Sequence, residues 1–239
     1  AGADVVCAAR TRQQIERTAA DIVALGRRAF AQPTDVRDSA QCDALISRAA
    51  REFGRVDIML SNAGIGDMRG ANAELWDVDD GDWHDTLDVN LSSAFYCARA
   101  ASRQMVAEGH GGAIINLASG TALRAYPMSF GYGAAKAGVI ALTKSLSTML
   151  AKHEIRVNCI IPGFVSQSPA RNEQEQIFAK TRGRYLPAQR LGQAWELGPL
   201  AVFLASDASS YVTGQGFVID GGGLAGGLAP MGFAPDVTI

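Results

Sequence analysis

The chain predicts an α/β fold: a doubly wound parallel sheet with helices on both faces, in three α/β/α layers and a single domain. Three observations predict it. Short apolar runs alternate with longer amphipathic stretches, hydrophobic residues make up 48% of 239 positions against 19% charged, and no internal repeat divides the chain. A chain of that length and composition can bury one sizeable core.

Six runs read as strands: residues 3–9 (ADVVCAA), 28–32, 56–60 (VDIML), 113–117 (AIINL), 156–161 (RVNCII) and 217–219. They are short and mostly apolar, as strands covered on both faces must be. Helical patterns lie between them. Asp38 with Gln41 three places later resembles a capping box, and Asp79 or Asp80 can cap a helix running through Trp83, Leu87 and Leu91. Over residues 131–152, Val139, Leu142, Leu146 and Leu150 recur at helical spacing, so one side packs and the other can serve a site. The stretch 166–189 is polar with scattered Pro and Gly, and is expected to be irregular, part of a lid over 164–189. The Gly- and Pro-rich tail from 221 onward is expected at the surface or an interface.

A formal net charge of −2 and a pI near 5.9 argue against nucleic-acid or anionic-membrane partners. Cys7, Cys42, Cys97 and Cys159 form no CxxC pair, and His84, His110 and His153 are equally dispersed. Reduced thiols, a cytoplasmic setting and no structural metal are expected. No apolar run approaches the roughly 18 residues of a membrane span, and no signal-peptide pattern opens the chain, so a soluble protein is expected.

Tyr132 and Lys136 stand four apart on an expected helix, one turn apart on the same face. That spacing lets an ammonium act on a phenol. A tyrosine at its usual pKa near 10 is a poor base at neutral pH, and each unit of depression needs about 1.4 kcal/mol of preferential stabilisation of the phenolate. Alone the pair is weak evidence: with five Tyr and four Lys, a chance YxxxK arises in roughly one such chain in twelve. Other features stand in a consistent order around it. Ser119 follows the strand AIINL and precedes Tyr132 by thirteen residues; Asn62, Ala63 and Gly64 follow the strand VDIML, where small residues let a ligand approach the backbone; Asn90 lies in VNLSS; Pro162 and Gly163 follow another strand.

The ordered set SNAG, VNLSS, INLAS, YGAAK and IIPG, with TGQGFVIDGG near the end, resembles the short-chain dehydrogenase/reductase family over essentially the whole chain. The resemblance implies a Rossmann-type sheet of strand order 3-2-1-4-5-6-7 and an oxidoreductase acting on CH–OH or C=O with a nicotinamide cofactor. It implies that Tyr132 is the general acid/base, that Lys136 lowers its pKa and holds the nicotinamide ribose, that Ser119 orients the substrate oxygen, and that Asn90 holds a water linking Lys136 to solvent. Among cofactor contacts it implies Asp35 and Val36 at the adenine, together with Asn62, Ala63, Gly64, Pro162, Gly163 and Val165. Where an NAD enzyme of this family would show an acid to bind the ribose hydroxyls, this chain has Ala9 followed by Arg10; that guanidinium, with Arg12 as a second candidate, suits a 2′-phosphate, so NADP(H) is favoured over NAD(H).

Two departures stand out. The family opens with a strand and a TGxxxGxG turn, and this sequence shows neither. The missing strand is central in the family's order, so its loss would leave the runs at 3–9 and 56–60 unpaired at roughly 1 to 3 kcal/mol per buried backbone group; residues upstream are therefore expected in the natural protein. Second, where the family often has Thr five places past the proline, this chain has Gln167 between Ser166 and Ser168.

Thr121, Leu123, Tyr126, Met128, Phe130, Phe164 and Val165 suggest a largely apolar pocket for a small-molecule substrate, whether a 3-oxoacyl thioester, a ketone or a steroid-like alcohol. Lys180, Arg182 and Arg184 leave room for a phosphate-bearing carrier. Two other readings use the same fold: a redox-inactive lyase resembling the halohydrin dehalogenases, which carry Arg where this chain has Lys136, and a noncatalytic NADP-binding regulator. The family resemblance also suggests a homotetramer or homodimer.

Overall fold

The computed structural model describes residues 1–66, 74–125, 129–166 and 172–226. Strands and helices alternate from the start: β1 (Val5–Ala9), α1 (Arg12–Ala24), β2 (Ala29–Pro33), α2 (Ser39–Phe53) and β3 (Ile58–Ser61). Then come α3 (Asp80–Leu87), α4 (Ser93–Glu108), β4 (Gly112–Leu117), α5 (Phe130–Leu150) and β5 (Ile155–Pro162). The last part holds β6 (Val165–Ser166), α6 (Glu173–Gly183), β7 (Gly192–Gln193), α7 (Gly198–Ala205), β8 (Gly216–Ile219) and the single turn α8 (Gly223–Gly226).

All strand pairs are parallel. β1 pairs with β2, β6 with β7, and four strands run in the order β3-β4-β5-β8. The first and last of these runs reproduce the expected order on either side of its central position. Among the described residues no ladder bond joins β1 to β3, yet Val6 of β1 and Met59 of β3 pack against one cluster formed with α2 and α4.

β4 and β5 are buried almost throughout because helices cover both faces. The period of two sorts their side chains: Ile114 and Val157 join Ala98, Ala101 and Met105 of α4, whereas Ile115, Leu117 and Ile160 meet Leu204 of α7. Val139 of α5 packs with Cys159 and Ile161. Packing of α2 on α4 also brings the Cys42 and Cys97 sulfurs to 3.7 Å, a proximity their separation in sequence does not reveal.

The expected strands are present with small shifts. β3 starts two residues late, since the Val56 N–H is taken by the Glu108 side chain. Asp38 caps α2 by accepting from Ala40 and Gln41 N–H, while Gln41 bonds Asp35 N–H and the Asp38 carboxylate, and not the Asp38 backbone, so the box closes differently from expectation. Asp79 caps α3. The helix through Trp83 and Leu87 continues into α4 through a π-helical stretch, Asp88–Ser92. Residues 166–189 are less irregular than expected: EQEQIFAKTRG forms α6, because Glu, Gln, Ala and Lys are good helix formers whatever their polarity. The tail beyond residue 226 lies outside the described residues. No described helix is long and apolar enough to cross a membrane.

Candidate active site

The carboxyl ends of β4 and β5 converge on a cavity of about 260 Å³. Ser119, Thr121 and Arg124 after β4, Tyr132 of α5, Pro162, Gly163, Phe164 and Val165 after β5, and Leu186, Asp220 and Leu224 are among its lining residues. Thus Ser119, Tyr132, Pro162, Gly163 and Val165 are brought together as the sequence suggested.

Ser119 caps a 3₁₀ turn, Gly120–Ala122, and its hydroxyl oxygen accepts from Thr121 N–H at 3.3 Å and Thr121 Oγ1 at 3.0 Å. The Ser119 O–H proton stays available to an oxygen in the cavity. Tyr132 lies in the first turn of α5, and Lys136 one turn on stands behind it, Nζ 5.6 Å from the ring centroid. Lys136 is 4% exposed and donates one hydrogen bond, to Leu117 O at 2.8 Å. Burial pushes its pKa down to about 8.

Asn90 sits in the π-helical stretch and is 1% exposed. Its amide donates to Ile65 O at 2.8 Å and Thr86 O at 2.9 Å, and its oxygen accepts from Ile65 N–H at 3.3 Å. It therefore ties the loop after β3 to the helix. Gly64 lies against this cluster: a Cβ there would stand 2.9 Å from Asn90 Oδ1 and 3.6 Å from Lys136 Nζ. Asn62, Ala63 and Gly64 are exposed, flanking the same edge.

The remaining expected contacts lie at the carboxyl ends of β1 and β2, away from the cavity lining. Arg10 occupies the two-residue turn into α1, whose first turn carries no acid. Arg12 pairs with Glu16 at 2.9 Å on the exposed face of α1. The Arg37 guanidinium on Asp35 holds that carboxyl below the usual range, and Arg10 adds a weaker pull. Val36 O accepts from Cys42 Sγ.

Of the expected apolar wall, Thr121, Phe164 and Val165 line the cavity, Leu123 and Phe130 are not among its lining residues, and Tyr126 and Met128 lie outside the described residues, as do Gln167 and Ser168 at the second departure from the family pattern. Arg124, Leu186, Asp220 and Leu224 were not singled out in the sequence. Arg124 had one available signal, its place between Ser119 and Tyr132.

A family model described as enoyl-(acyl carrier protein) reductase matches residues 1–223. The chain belongs to the short-chain dehydrogenase/reductase family. It is 38% identical over 211 residues to 2-dehydro-3-deoxy-D-gluconate 5-dehydrogenase of Escherichia coli, covering 87% of this chain and 81% of that one. It is 34% identical to 3-oxoacyl-[acyl-carrier-protein] reductase of Synechocystis, covering 91% and 85%. A gluconate 5-dehydrogenase from Burkholderia cenocepacia, solved with NADP and tartrate, superposes with a TM-score of 0.81 at 34% identity, covering 92% and 85%. As a short-chain dehydrogenase/reductase the protein is an enzyme, a hydride-transfer oxidoreductase acting between CH–OH and C=O.

The residues present fit a nicotinamide cofactor. A lysine ammonium has three N–H donors, and among the described residues Lys136, almost fully buried, hydrogen-bonds with Leu117 alone, so further donors can serve ribose hydroxyls.

Proposed function

We propose that this short-chain dehydrogenase/reductase uses NADP(H) to interconvert a carbonyl and a secondary alcohol on a small, partly apolar substrate. The observation that carries the reading is Ser119 and Tyr132 lining one cavity with the buried Lys136 behind the tyrosine ring. NADP(H), when bound, supplies or accepts the hydride. Ser119 O–H donates to the substrate oxygen and orients it. Tyr132 gives its phenolic proton to that oxygen in reduction and takes it back in oxidation. Lys136 holds ribose hydroxyls and places positive charge beside the phenol. Asn90 fixes the loop at Gly64, and the second lone pair of its Oδ1 accepts the relay water. Arg10, at a helix start free of acids, holds the 2′-phosphate. The Burkholderia relative's NADP supports that preference. The relatives' names, a dehydro-deoxy sugar acid and a 3-oxoacyl carrier, support an oxo-compound substrate.

Tyr132→Phe is expected to lower kcat by about 10² to 10⁴-fold while leaving NADPH affinity within about threefold. Full turnover in this variant, measured by NADPH absorbance, contradicts the assignment. The protein is further proposed to assemble as a homotetramer or homodimer, since α4 and α5 expose Phe95, Val106 and Met149. Light scattering giving the mass of a single chain would contradict that.

A further inference from the structure

The charged groups in the cavity wall are unevenly satisfied. Asp220 is a lining acid, but both its oxygens are engaged: Oδ1 accepts from Gly222 N–H at 2.8 Å and Oδ2 from Leu224 N–H at 2.6 Å. Its charge serves the turn after β8. Arg124 is a lining cation, and its guanidinium has no carboxylate partner among the described residues. Arg12, Arg28, Arg37, Arg55 and Arg190 each pair with one.

The backbone of Arg124 is also held beside the reacting end of the pocket, although the residue is exposed. Its N–H bonds Gly120 O at 3.0 Å, closing the turn that Ser119 caps, so the guanidinium springs from the same short unit as the Ser119 hydroxyl. Ala125, Phe164, Val165 and Leu186 supply an apolar wall nearby, which strengthens any charge pairing formed against it. Arg182 lies over the Phe164 ring of that wall, its guanidinium carbon 5.0 Å from the ring centroid.

We propose that Arg124 is a specificity-determining residue: it anchors a carboxylate, so the pocket takes a hydroxy- or oxo-acid whose carboxylate meets Arg124 while the reacting C–O lies at Ser119 and Tyr132. The inference rests on the hydride-transfer reading for the position of the reacting carbon. One lining guanidinium matches the single charge and planar fork of a carboxylate.

The test compares gluconate with gluconamide, which differ chiefly in charge, by calorimetry on the full-length protein saturated with NADP⁺. The wild type is expected to bind gluconate about tenfold or more tightly than gluconamide. Arg124→Gln is expected to abolish the preference and Arg124→Lys to retain part of it, a pattern that mere loss of packing does not produce. Equal affinities in the wild type, binding of neither compound, or a preference that survives in Arg124→Gln overturns the proposal. A wild type that shows the preference but transfers no hydride to any oxo-acid tried would overturn the functional reading and leave the carboxylate anchor standing.

Discussion

At the scale of single residues, the buried Lys136 is the group whose chemistry the fold alters most at the site. Its folded pKa of about 8 lies below the usual lysine value near 10.4, because burial disfavours the charged form. NMR titration of its side-chain signals in the cofactor-free protein is expected to give a midpoint near 8, and a midpoint above about 10 contradicts the environment described. The sign for stability follows. Between pH of about 8 and 10.4 the folded state has released this proton while the unfolded chain still holds it, so this lysine's contribution to stability rises with pH across that window. Helical spacing puts Tyr132 and Lys136 on one face, but they and Ser119 were legible in the sequence only together with the ordered family motifs around them. Arg124 was not legible. A loop arginine is usually solvated, and this one is exposed too; only the folded turn after Ser119 sets it beside the pocket.

Among elements, the ends of β5 and β8 meet more closely than a side chain permits. A Cβ on Gly163 would lie 2.5 Å from Asp220 Cβ and 2.8 Å from its Cα, and neither atom can swing aside. Gly163→Ala is expected to destabilise the fold by about 1–3 kcal/mol and disturb the turn that Asp220 holds. An unchanged urea midpoint would show that this approach is slack. The strands were legible because parallel strands covered on both faces read as apolar runs, and α2 and α3 because Asp38 and Asp79 mark their starts. The π-helical stretch was not, since DVNLS carries no signal for an added residue in the turn; Asn90 gains its place against Ile65 only through it. α6 was missed because a polar segment with little apolar face resembles a loop.

For the whole molecule, the alternation of strand and helix predicted the layered parallel architecture, but periodicity could not order the strands. That order came from the family motifs, and the runs β2-β1 and β3-β4-β5-β8 agree with it. The same topology explains why the site is assembled from distant segments: in parallel sheets of this kind the loops at the carboxyl ends of the strands gather along one edge. The loops after β4 and β5 line the cavity proposed for the substrate, and those after β1 and β2 carry Arg10 and Asp35. The account therefore depends on one dinucleotide lying along that edge with its 2′-phosphate at Arg10. Calorimetric titration of the full-length protein with NADPH and with NADH tests this most directly. NADPH is expected to bind with at least about tenfold preference, equivalent to about 1.4 kcal/mol. Equal affinity for the two, a preference for NADH, or binding of neither would contradict it.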